Sequence, residues 1–179
     1  MTAIDDFATT LLEEAKRFLE KANESTDEIA ATAFLHAGLM LGFCGLEAHI
    51  NSVADEVALR PELNLHEQGL LLEKEVRLEN GEFKLGALKI SRLEDRILYL
   101  HHRFSGAHLD KSDDWWGNLR TAIGLRNSIT HPKNAAIICT VDVERALDAI
   151  IQTINVVYLA VFNRPFPYGS LGLHSRLSF

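Results

Sequence analysis

Eighteen consecutive residues, 29–46, carry no Asp, Glu, Lys or Arg, and Asp27, Glu28 and Glu47 bound the run. A stretch this long and apolar has to leave water, either in a bilayer or against other parts of the chain. Its flanks are acidic and lack the Lys or Arg anchors of a membrane span, and Thr32 and His36 lie inside it. The run therefore reads as a buried helix of a soluble bundle. Gly38-x-x-x-Gly42 within it allows close approach of a neighbouring helix.

The rest of the chain supplies the partners. Phe7, Leu11, Ala15, Phe18 and Ala22 recur at spacings of three and four, which predicts an amphipathic helix over 3–22. Ser25 and Glu28 form a capping-box pattern ahead of the long helix, 26–58, which Pro61 follows. A shorter helix is expected over 66–76. Ser91 and Glu94 supply a second capping box before Leu93, Ile97, Leu100 and Phe104, in a helix ending near Gly106. Ser112, Asp113 and Asp114 open a helix that reaches Thr130, because Pro132 disfavours a helical residue before it. Thr140 and Asp142 open the last helix, 141–163, whose later half is apolar nearly all round. Between 76 and 85, Val76, Leu78, Phe83 and Leu85 alternate with charged residues around Asn80-Gly81, which fits a small β-hairpin insert or a polar loop. The expected fold is all-α: an up-and-down bundle of five to six helices in one domain, 1–163. From Arg164 on, Pro165, Pro167, Gly169 and Gly172 predict an irregular C-terminal tail, 164–179.

Charge narrows the function. The net charge is −7, and residues 1–62 hold four basic against twelve acidic side chains, whereas 66–133 hold eleven against ten. A broad polyanion binder would be basic, so only a local anion site is compatible with this distribution. Cys44 and Cys139 are lone cysteines in apolar settings, expected as buried free thiols of a reducing, cytoplasmic compartment. No spacing of His, Cys, Asp and Glu marks a metal site, His101 and His102 point in different directions on a helix, and no phosphate loop or nucleophile elbow is present. No cofactor is expected.

The most informative helix is the fifth. At roughly 100° per residue, Trp115, Leu119, Ala122, Ile123 and Ile129 gather on one side, and Arg126 falls in the middle of that stripe. Asn127 and His131, four apart, sit at its edge. An unpaired buried guanidinium costs on the order of several kcal/mol, so Arg126 must meet a carboxylate, a subunit boundary or an anionic ligand. Glu47, Asn51 and Asp55 form a polar line on the second helix, either a solvated stripe, a partner for Arg126 or a support for a site. Of the two tryptophans, Trp115 is expected in the core, while Trp116 is open to either role, including base stacking.

The stretch GLRNSITHP resembles the signature of the HEPN family: an Arg, a polar residue directly after it, and a His four to six residues on. Here these are Arg126, Asn127 and His131, and Pro132 closes the helix. The following TVDVERALDAIIQTINVVYL is similar to the last helix of many HEPN domains, and GLEAHINSVAD on the second helix to the family's Glu-containing helix. The resemblance covers most of 3–163 but neither the hairpin region nor the tail. It implies an up-and-down bundle that commonly dimerises, and a metal-independent endoribonuclease, in many members a toxin or defence effector. An antitoxin or a nucleotidyltransferase would be the corresponding neutralising partner. The side chains suit that chemistry: His131 as general base or acid, Arg126 gripping phosphate oxygens, Asn127 orienting either, with Glu47 and Asn51 in support. A composite dimer site is expected, two His131 side chains facing one groove and Gly38 and Gly42 easing the packing of the second helix. The alternative from another class is a catalytically silent HEPN module that binds a protein or nucleotide, favoured by the acidic first third.

Overall fold

The computed structural model describes residues 3–179. Six α-helices and one hairpin make up the regular structure among them: α1 (Ala3–Glu24), α2 (Glu28–Ala58), α3 (Leu65–Leu71), β1 (Lys74–Glu79), β2 (Glu82–Leu88), α4 (Leu93–Ser105), α5 (Asp114–Thr130) and α6 (Thr140–Phe162). The protein is an all-α bundle with a small hairpin.

The uncharged run lies within α2, which pairs along its length with α1 and also meets α3, α4, α5 and α6. α6 is the central post: it touches α1, α2, α4 and α5, and Val143, Leu147, Ile150, Ile154 and Val157 are buried on it. Both helices are long and apolar enough to cross a membrane by length and composition, and both supply core residues here. Gly38 and Gly42 face inward. A Cβ at Gly42 would lie 2.6 Å from Leu147 Cδ2 of α6, and one at Gly38 3.1 Å from the Ala15 carbonyl of α1. The two glycines therefore let α2 pack closely on α1 and α6 within the chain.

Several local expectations shift. The start of α2 is capped by Asp27, whose carboxylate accepts from the Ile29 and Ala30 amides, rather than by Ser25. The N-cap of α4 is Arg92, with no side-chain cap bond, so Ser91 and Glu94 form no capping box. α3 stops at Leu71 instead of reaching 76, because Glu73 takes a positive φ of 52° and strand β1 begins at Lys74. A capping box does form at α3, between Asn64 and Glu67, and another at α6, where Cys139 pairs with Asp142. On α1 the fully buried stripe is Ala8, Leu12, Ala15, Leu19 and Ala22, and Phe7 is exposed.

The hairpin is present. Asn80 and Gly81 both have positive φ, 52° and 85°, the geometry a two-residue hairpin turn requires. Val76 pairs with Leu85 and Leu78 with Phe83. It packs on α3. The tail is irregular apart from a 3-10 turn at Gly169–Leu171, yet it returns to α1. Phe166 is buried, the Ser175 and Arg176 amides donate to Glu20 and Glu13, and Arg17 donates to the Phe179 carbonyl.

Candidate functional site

Arg126 sits on α5 where its apolar stripe meets α2, and Glu47 of α2 answers it. Arg126 Nη1 donates to Glu47 Oε1 at 2.6 Å, and Nε and Nη2 donate to Asn127 Oδ1 at 3.3 and 3.2 Å. The guanidinium also lies over the Phe43 ring, 5.0 Å from its centroid. The pair is not sealed: the side chains of Arg126 and Glu47 are 24% and 46% exposed. Three of the five guanidinium N–H groups are used, so two remain for another acceptor.

Arg126, Asn127, Glu47 and Asn51 line one cleft of about 660 Å³. Its other walls come from the end of the hairpin (Leu88, Ile90), the start of α4 (Ser91 to Glu94, and Arg96), Glu73 and Ile123. The structure thus brings together four of the five expected site residues. His131 stands apart. It is the C-cap of α5 (φ −132°, ψ 61°), its amide donates to the Asn127 carbonyl at 2.9 Å, and its ring is exposed and does not line the cleft of its own chain.

Arg96 was not anticipated, although the signal was the one that singled out Arg126: it lies beside Leu93, Ile97 and Leu100, on the apolar side of its helix. It is 4% exposed, donates from Nη2 to the Leu71 carbonyl at 2.9 Å, and stands 3.6 Å from Glu73. Its Nε has no partner. Burial lowers the pKa of Arg96, and Glu73, Glu47 and Asp55 oppose the shift. Arg92 at the cleft rim is exposed and its guanidinium makes no hydrogen bond or ion pair among the described residues.

Both cysteines are exposed, contrary to expectation. Cys44 lies one turn before Glu47; partial desolvation and the Glu47 carboxylate push its thiol pKa up, and Arg126 opposes them. Cys139 caps α6. Trp116, left open by the sequence, is buried in the core, and Trp115, expected there, is only partly buried and packs against it. Among the described residues no group of three His, Cys, Asp or Glu is placed to hold a metal ion.

A second cavity of about 240 Å³ lies between α1, α2, α6 and the tail, lined in part by Asp5, His49, Ser52, Tyr158 and Phe166. His49 is buried with both ring nitrogens unpartnered, stacked edge-on to Phe166 at 5.0 Å. Burial lowers its pKa to about 4, with Asp5 acting in the opposite sense. Ser52 donates to the Asp5 carboxylate at the same place.

Comparison of the chain with protein-family models, curated proteins and solved structures finds no match in any of the three.

Proposed function

We propose that the protein is a metal-independent endoribonuclease of the HEPN type, working as a homodimer. The observation that carries the reading is the Arg126 guanidinium, fixed by Glu47 and Asn127 at the wall of an open cleft with two N–H groups to spare. A guanidinium held this way is pre-oriented to receive two phosphate oxygens, and it needs no reorganisation as charge develops on them.

In the proposed reaction the RNA 2′-hydroxyl attacks the adjacent phosphorus. His131 accepts the hydroxyl proton, Arg126 stabilises the charge gathering on the non-bridging oxygens, and the bond to the 5′-oxygen breaks as that oxygen takes up a proton from the imidazolium, which returns to neutral. The products are a 2′,3′-cyclic phosphate and a 5′-hydroxyl end. Asn127 holds Arg126 in place, and Glu47 and Asn51 support it from α2.

His131 is not among the residues that line the cleft of its own chain, and in the proposed reaction the imidazole acting there is drawn from a second copy. Three surface features support such a partner: the uncharged run on α2 leaves Ile29 83% exposed, Cys44 is exposed one turn from Glu47, and Ile137 after His131 is 92% exposed. Two-fold symmetry then offers each cleft the other chain's His131. A cytoplasmic toxin or defence role, with an antitoxin or nucleotidyltransferase as the neutralising partner, belongs to the same proposal and rests on the resemblance alone.

The test is cleavage of single-stranded RNA by the purified protein in EDTA. Products with 2′,3′-cyclic phosphate ends, and loss of cutting with a 2′-deoxy residue at the cut site, are expected. Activity that requires added magnesium or manganese would refute the mechanism. The second reading, a silent module that binds a protein or nucleotide, is favoured by one observation: Glu47 already neutralises Arg126 inside the chain. Failure to cut any RNA while retaining a ligand in the cleft would favour it.

A further inference from the structure

Three groups restrain the Arg126 guanidinium, and they differ in what they take from it. Glu47 accepts from Nη1 and brings a full negative charge. Asn127 accepts from Nε and Nη2. Phe43 stands one turn before Glu47 on α2, and the centroid of its ring lies 5.0 Å from the guanidinium carbon. It uses no N–H group. An aromatic face attracts a cation through its quadrupole, so it restrains the guanidinium without neutralising it.

Burial sets this contact apart from others of its kind. Phe43 is 1% exposed and belongs to the core. Among the described residues, the other rings that face a cation are Trp116, 4% exposed, and the partly buried Phe104, Phe162 and Tyr168. Water competes little for a sealed ring face, and close packing fixes the plane of the ring. Arg126 therefore rests on a fixed apolar wall while its own side chain stays 24% exposed and lines the cleft.

An incoming phosphate meets a competitor in Glu47. Both are anions and both seek the same guanidinium, and a carboxylate still paired to Nη1 offsets the charge that the phosphate would use. As phosphate takes up Arg126, the hold from Glu47 weakens and the long side chain gains rotamer freedom. The Phe43 face keeps its hold through that exchange, because it competes for neither charge nor donors.

We infer that Phe43 is a positioning residue: its ring face keeps Arg126 aimed at the phosphate while the Glu47 carboxylate gives way. The inference rests on the proposed ribonuclease reading for its substrate, whereas the contact with Arg126 is open to test without cleavage.

The test grades the charge distribution of the ring and leaves its shape nearly unchanged. Chains carrying mono-, di- or trifluorinated phenylalanine at position 43 are compared with wild type, since each ring fluorine weakens the hold of the face on a cation. In RNA cleavage, kcat should fall stepwise, by about tenfold for the trifluorinated ring, while KM changes less than about twofold. Unfolding in denaturant supplies the control. Fluorination should lower stability in step with the number of fluorines, and the effect should vanish in Arg126→Ala. A flat kcat across the series overturns the positioning role, even where the unfolding cycle shows the contact. A kcat that drops in Phe43→Leu but is not graded by fluorine also overturns it, in favour of simple packing. If no RNA is cut, the ribonuclease reading fails by itself, and inorganic phosphate becomes the probe, followed through the Arg126 Nε–H resonance. Phosphate affinity that falls with fluorination then sustains the hold on an anion-binding arginine, and unchanged affinity overturns it.

Discussion

Two cation–carboxylate pairs occupy opposite situations in this bundle. Lys16 and Glu13 of α1 lie 3.0 Å apart with side chains 0% and 3% exposed, and the tail closes over them through the Arg176 amide and the Ser175 hydroxyl. Arg126 and Glu47 are as close, yet they stand at the wall of an open cleft with donors unused. The first pair has its charges answered by the chain and is shut away from any ligand. The second is oriented by the chain and open to an outside anion. A pair of opposite charges near a core is thus structural or functional according to what covers it and what hydrogen-bonding capacity it keeps.

The comparison breaks if the two pairs respond alike to substitution. The largest expected effect is at the open site. His131→Ala should reduce RNA cleavage by about 10²–10⁴-fold, with helicity and oligomeric state unchanged. Arg126→Ala should lower the rate similarly, and a wild-type rate from either would remove the site. At the closed pair, Glu13→Ala leaves buried Lys16 without its carboxylate and should cost about 3–5 kcal/mol in denaturant unfolding. Unfolding curves that overlay the wild type would show that the pair is not shut away.

Next in size is a pH effect at the second cavity. The folded-state pKa of His49 is lowered to about 4 from 6.5, so its contribution is complete above 6.5 and is lost as pH falls from 6.5 toward 4. The loss is on the order of 3 kcal/mol. Glu13, whose pKa the Arg176 amide, Lys16 and Arg176 hold low against burial, loses its contribution only in more acid solution. Unfolding measured across pH should therefore flatten between 6.5 and 4 in His49→Phe, and an unchanged slope would count against the buried neutral imidazole. The smallest effect belongs to the C-terminal tail: the Arg176 side chain is half exposed, and Arg176→Ala should cost less than about 1 kcal/mol while cleavage stays at the wild-type rate.

What the sequence disclosed follows the range of the interactions involved. Helical spacing and the turn residues act within a few positions, so five to six helices, a hairpin or loop at Asn80-Gly81 and the end of α5 at Thr130 were legible, and the structure has six helices and the hairpin. Arg126 was legible as a charge out of place on an apolar stripe, and Glu47 as one of its candidate partners. Caps were less so, because Asp27 and Ser25 compete for the same amides and the winner depends on how the chain arrives from α1. The deeper burial of Trp116 than of Trp115 depends on how α5 seats against the other helices, which spacing within one helix does not fix. Arg96, Arg92 and Ile90 reach the cleft only because α4 packs on α6 and α2 and the chain arrives there from a hairpin seated on α3, contacts that no local pattern encodes. The same holds for the exposed cysteines and for the tail's return to α1.

The central claim is that Arg126 of one chain works with His131 of its partner. Arg126→Ala and His131→Ala chains, each inactive alone, can be co-refolded in equal amounts and assayed on one RNA in EDTA. Random pairing makes half of the dimers mixed, each with one intact site, so the account predicts recovery of about a quarter of wild-type cleavage. A mixture as inactive as its two components would contradict it.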